Sequence, residues 1–97
     1  MWNAYKSGKT IGDFGSEQGI IIQDEEHSEG ARLTLESDGA TAPFSITTGV
    51  YGEFFHTTFL SSKKEAESIF KMMKVEIDRY LMSERDSEWV EKFVERY

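Results

Sequence analysis

His56 is the side chain of this sequence best suited to acid–base chemistry. It lies in the run Phe54-Phe55-His56-Thr57-Thr58-Phe59-Leu60, with Glu53 three residues before it. Nucleophilic catalysis needs a hydroxyl, a histidine and a carboxylate converging in space. Ser45, Thr47 or Thr58 would supply the hydroxyl. On a strand, Phe54 and Thr58 share a face with His56, whereas Glu53 points to the other face unless a bulge intervenes. His56, Thr58 and Phe54 therefore define a candidate pocket. A histidine hydrogen-bonded at the sheet surface is the plainer reading. His27 sits among carboxylates at an expected hairpin tip, which favours its charged form at an otherwise ordinary surface position.

The remaining short patterns carry less. Ser7-Gly8-Lys9-Thr10 matches the end of a phosphate-binding loop, but Asn3 stands where that loop needs its first glycine. Asp13-Phe14-Gly15 spells a kinase tripeptide without a kinase's lysine strand or catalytic loop. Glu25, His27, Glu29, Gly30 and Glu36 fall near the spacing of a calcium loop. Its first ligand is Glu instead of Asp, Arg32 replaces an apolar anchor, and strand patterns flank it. The segment is expected to be a solvated hairpin, and no metal or cofactor is expected.

Charge points to a different role. The chain has 97 residues and a formal net charge of −7. Residues 1–62 hold three cations against nine carboxylates, whereas residues 63–97 hold eight against nine. Such a surface repels phosphate backbones and attracts a basic protein partner. Asp24, Glu25, Glu26, Glu29, Glu36 and Asp38 are the expected acidic contacts. Cysteine is absent, which excludes disulfides and thiolate sites and suits a cytoplasmic protein. The longest apolar run, Ile20-Ile21-Ile22, is far too short for a membrane span, and no secretory signal pattern is visible. Seven Phe, four Tyr and two Trp supply enough apolar surface for one folded core.

The elements that must position these residues are legible from periodicity. Residues 1–18 are broken by Gly8, Gly12 and Gly15 and read as irregular, with Thr10-Ile11 as a short strand. Residues 19–60 read as a sheet. Ile20–Gln23, Ala31–Glu36, Phe44–Thr48 and Glu53–Leu60 are the strands, joined by short polar turns. Leu33 and Leu35 face inward, and Arg32, Thr34 and Glu36 face outward. Aromatics on both faces of the last strand suggest that it is central or covered on both sides. At Ser62-Lys63-Lys64-Glu65 a capping box opens a helix. Ala66, Ile69, Phe70, Met73, Ile77, Tyr80 and Leu81 form its apolar stripe, to about Met82. Residues 83–87 interrupt it before a second helix marked by Trp89, Phe93 and Tyr97; one long bent helix also fits. The expected fold is a single α+β domain, an antiparallel meander of four to five strands backed by a long C-terminal helix and a short terminal one.

The runs Gly30-Ala31-Arg32-Leu33-Thr34-Leu35-Glu36, Ile46-Thr47-Thr48-Gly49-Val50-Tyr51-Gly52 and His56-Thr57-Thr58-Phe59 precede an acidic-basic helix. Together, over residues 19–82, they resemble small uncharacterised bacterial α+β domains, some of which act as immunity proteins that neutralise secreted toxins. The resemblance implies a binding role without catalysis, and it assigns no site residues. The leading expectation is thus a non-catalytic protein-interaction domain with an acidic contact surface. The alternatives are a self-associating homodimer, with Trp89, Phe93 and Tyr97 as candidate interface, and a small enzyme or ligand-binding domain centred on His56.

Overall fold

A computed structural model describes residues 1–97. Five strands form one sheet: β1 (Trp2–Ala4), β2 (Ile20–His27), β3 (Ala31–Ser37), β4 (Phe44–Val50) and β5 (Phe54–Leu60). Two helices follow, α1 (Lys63–Leu81) and α2 (Ser87–Arg96). The strand order is β1-β2-β3-β4-β5, with every neighbouring pair antiparallel. The expected α+β meander is therefore the observed fold. The first strand was not anticipated: it is Trp2–Ala4 on the outer edge of β2, and Thr10 and Ile11 lie in a turn instead.

Alternation sends Ala31, Leu33 and Leu35 of β3 and Ile46 and Val50 of β4 to one face, where they are buried. α1 covers that face with Ala66, Phe70, Met73, Ile77, Tyr80 and Leu81, the stripe that three- and four-residue spacing predicts. Burying each of the larger side chains is worth about 1.5–3 kcal/mol, so this layer carries most of the stability. Ser62 caps α1 by accepting a bond from the Glu65 N–H at 3.2 Å. The helix ends at Leu81 with Met82 as its C-cap; Arg85 takes a φ of 51° in the connection, and the Asp86 side chain then caps α2. Residues 83–87 thus separate two helices and do not bend one.

α2 docks on its own chain. Trp89 stacks on Tyr80 with ring centroids 4.3 Å apart, and buried Phe93 meets Phe54 edge to face at 5.9 Å. The Tyr97 hydroxyl donates to Glu76 at 2.8 Å. The aromatic row thus packs on its own chain, with Phe93 buried and Trp89 and Tyr97 half-buried.

The opposite face is built by a β-bulge. The β2–β3 register shifts between Ile21 and Gln23, so Ile22 is the extra residue. Beyond it, Gln23, Glu25 and His27 share the helix side with their partners Leu35, Leu33 and Ala31. Asp24 is turned to the other side, and there it is buried. One oxygen accepts from Arg32 Nε and Thr34 Oγ1, each at 2.9 Å. The other accepts from Arg32 Nη2 at 2.7 Å and Thr10 Oγ1 at 2.8 Å. Arg32 lies in turn against Tyr5, 3.7 Å from the ring centroid. Glu36 is likewise buried and accepts from the N–H groups of Glu17 and Gly19 at 3.2 and 3.0 Å. These two carboxylates hold residues 5–19 across β2 and β3.

Two expectations are corrected here. Asp24 and Glu36 are not surface contacts, because the N-terminal segment folds over them and supplies their donors. β5 is neither central nor covered on both sides: it is the last strand, and Phe55 and Phe59 lie exposed beside it. Asp24→Ala leaves the Arg32 fork and two hydroxyls without their acceptor. It is expected to cost about 3 kcal/mol, measured by urea unfolding.

Candidate interaction face

The N-terminal segment covers only part of the helix-free face. Its pins are carboxylates of β2 and β3; β4 and β5 carry no charged residue at all. Phe55 is 75% exposed and Phe59 47%. Phe14, held beside Ile20 by a single β-bridge, is 78% exposed, and Tyr51 in the β4–β5 turn is 45% exposed. Between Phe14, Tyr51 and Phe55 lies a cleft of about 590 Å³, lined also by Tyr5, Arg32, Glu36 and Thr47. Gly49 shapes its floor: a Cβ there would stand 2.7 Å from the Phe55 ring, so only glycine lets that ring approach the strand. The Tyr51 hydroxyl donates to Glu26 at 2.6 Å, which fixes the rim. Burial and that bond push the Tyr51 phenol well above its usual range.

The sequence-predicted acidic set is dispersed. Glu25 pairs with Lys74 at 2.7 Å, and Glu26 serves Tyr51. Glu29 and Asp38 are exposed, but they occupy the turns at opposite ends of β3. A strand of that length separates them by about 20 Å. No acidic cluster forms a single contact surface. The calcium-loop spacing also comes apart, because Glu36 lies on the opposite sheet face from Glu25 and His27. No group of three or more His, Asp or Glu is arranged to hold a metal ion.

His56 and Thr58 do share the helix side of β5 with Phe54, which packs on Phe93. His56 Nε2 and Thr58 Oγ1 are buried, and each lacks a hydrogen-bond partner. The hydroxyl–histidine–carboxylate contact that catalysis requires is thus not made at His56. Glu53 instead accepts bonds from the Tyr80 hydroxyl and Arg85. His27 is corrected from a surface position to a buried one. Its Nδ1 accepts from the Glu29 N–H at 3.0 Å, and its Nε2 lies 2.6 Å from the Asp78 carboxylate and 3.0 Å from the Met1 ammonium. The bond to His27 holds the Asp78 carboxyl below the usual carboxylate range.

Sequence reasoning missed the face itself. Aromatics on both faces of the last strand read as a central or doubly covered strand, and the tripeptide containing Phe14 reads as carrying no function. The available signal was the complete lack of charge over Phe44–Thr48 and Phe54–Leu60, which leaves nothing to anchor a covering segment. No family model, curated protein or solved structure matches this chain. No helix is long and apolar enough to cross a membrane.

Burial and the bond to Glu53 push the Tyr80 phenol up from 10.0 to about 12. A proton held more tightly in the folded state stabilises it. That contribution is complete below the ordinary phenol value and fades as pH rises from about 10 toward 12. The stability difference between wild type and Tyr80→Phe is therefore expected to shrink over that interval. Urea midpoints of both proteins across an alkaline pH series measure it.

Proposed function

We propose that this chain is a non-catalytic protein-interaction domain that grips its partner with the open β4–β5 half of its sheet. One observation carries the reading: Phe14, Tyr51 and Phe55 stand exposed around one cleft, and Phe59 stands exposed on the same face of β5, a strand without carboxylates, lysine or arginine. Aromatic side chains of this kind are enriched in interface cores and dominate binding energy. The partner is a basic protein that inserts an apolar side chain into the cleft. The net charge of −7, spread over the surface, sets the rate of encounter. The aromatic face sets how long the complex lasts. Neutralisation of a partner protein, as in the immunity proteins that the sequence resembles, is one role that such a face serves.

The double variant Phe14→Ala/Phe55→Ala removes two exposed rings and is expected to change folding stability by less than about 1 kcal/mol. Binding to a partner identified by pull-down is expected to weaken by at least about 2 kcal/mol, roughly thirtyfold, through faster dissociation. Salt is expected to slow association of wild type and variant alike. Retained binding in that variant, with loss in Glu25→Gln/Glu29→Gln/Asp38→Asn, would return the contact to the acidic turns and overturn this reading.

A further inference from the structure

The sheet stops at β5, whose only ladder is with β4. Every second N–H and C=O of this strand therefore points away from the sheet. None of the backbone hydrogen bonds outside the helices and ladders involves residues 54–60. Proteins usually blunt such an edge with lysine, proline, a bulge or short length. β5 uses none of these. It runs seven residues, Phe-Phe-His-Thr-Thr-Phe-Leu, in unbroken register with β4. The opposite edge is different, since β1 has only three residues.

A second observation falls on the same strands. The buried side-chain polar atoms without a partner are Ser45 Oγ, Thr47 Oγ1, His56 Nε2 and Thr58 Oγ1, all on β4 and β5. Buried polar groups normally find partners, and the two on the edge strand itself, His56 Nε2 and Thr58 Oγ1, call for a physical reason.

We propose that β5 pairs antiparallel with β5 of a second copy of this chain, about a two-fold axis at Thr57. Thr57 is the middle residue of the strand, so this register uses its full length. On the open face it sets Phe55 opposite Phe59 of the second copy, and the exposed rings pair across strands. On the helix side it sets His56 opposite Thr58 of the second copy. Directly opposed side chains have Cβ atoms about 4.5–5.5 Å apart, so rotation of His56 and Thr58 toward the new strand brings the two orphaned groups within reach of a bond. Each copy makes both contacts, as two-fold symmetry demands. The strand is thus complementary to itself, and it carries no charge that would select an acidic or basic peptide instead. Opposed residues in an antiparallel pair share a face, so both helix layers lie on one side. The two open halves then join into one surface. The pairing forms along the edge and draws in Phe55 and Phe59, so it competes with a partner for those two rings, but the argument for it does not rest on the partner reading above.

Sedimentation equilibrium of the full chain tests this. The mass is expected to rise from that of one chain, 11.1 kDa, toward twice that value through the high micromolar range. Salt is expected to strengthen self-association, because each copy carries −7; capture of a basic partner responds in the opposite sense. Thr57→Lys places two ammonium groups against each other at the axis and is expected to leave a monomer with an unchanged circular dichroism spectrum. Should that variant misfold, Thr58→Val serves. It removes a buried hydroxyl without a partner, so unfolding stability holds or rises, while dimer affinity falls about fivefold. Thr57→Cys adds the only thiol, so a disulfide formed on mild oxidation can only link two copies. A wild type that stays at the mass of one chain throughout the range overturns the proposal. So does a dimer that Thr57→Lys leaves intact.

Discussion

The Asp24 carboxylate is the point on which the helix-free side of this fold depends. A buried charge without partners costs several kcal/mol. Here Arg32, Thr34 and Thr10 supply four donors to its two oxygens. Two of those residues come from β3 and one from the N-terminal segment, so the same bonds that stabilise the charge fasten that segment to the sheet. Arg32, oriented by the fork, offers a flat cation to Tyr5. Glu36 repeats the arrangement further along β3 with main-chain donors. A segment whose only regular element is the short 3-10 turn Tyr5–Gly8 is thereby held in one place.

Coverage ends where the carboxylates end. β4 and β5 present Ser45, Thr47, Gly49, Phe55, Thr57 and Phe59 on that side, and none of these can anchor a passing chain through charge. The uneven sheet surface follows from this distribution. One half is sealed by ionic and main-chain bonds, and the other is left apolar and open. The acidic excess of the first two-thirds of the chain is partly consumed in building the seal. Two of its carboxylates are buried and two more are engaged by Lys74 and Tyr51.

Periodicity made the architecture legible. The two-residue alternation of Ala31–Glu36 and the helical spacing from Ala66 to Leu81 each describe a local choice, and each is realised. The helix cap at Ser62 is local too. What sequence alone did not reveal depends on contacts distant along the chain. Arg32, Thr34 and Glu36 do point away from the helix, as alternation requires. Alternation does not say that Thr10 and Glu17 will arrive to cover them. The aromatics of β5 look equally suited to core and surface, because hydrophobicity does not report which strand ends the sheet. The same limit applied to His27. Its carboxylate neighbours in sequence suggested an exposed tip, while the carboxylate that binds it, Asp78, lies on α1.

The extra residue in β2 carries a consequence of its own. Ile22 acts as a phase shift within a two-step rhythm, and the polar stretch that follows is readable only relative to it. Were the strand to run from Ile21 through Ile22 in strict alternation, without the bulge, Asp24 would enter the layer of Leu35 and Met73 and its neighbours would turn out to solvent. That one irregularity, more than the identity of any one side chain beyond it, decides which side of the sheet is oily and which is salted.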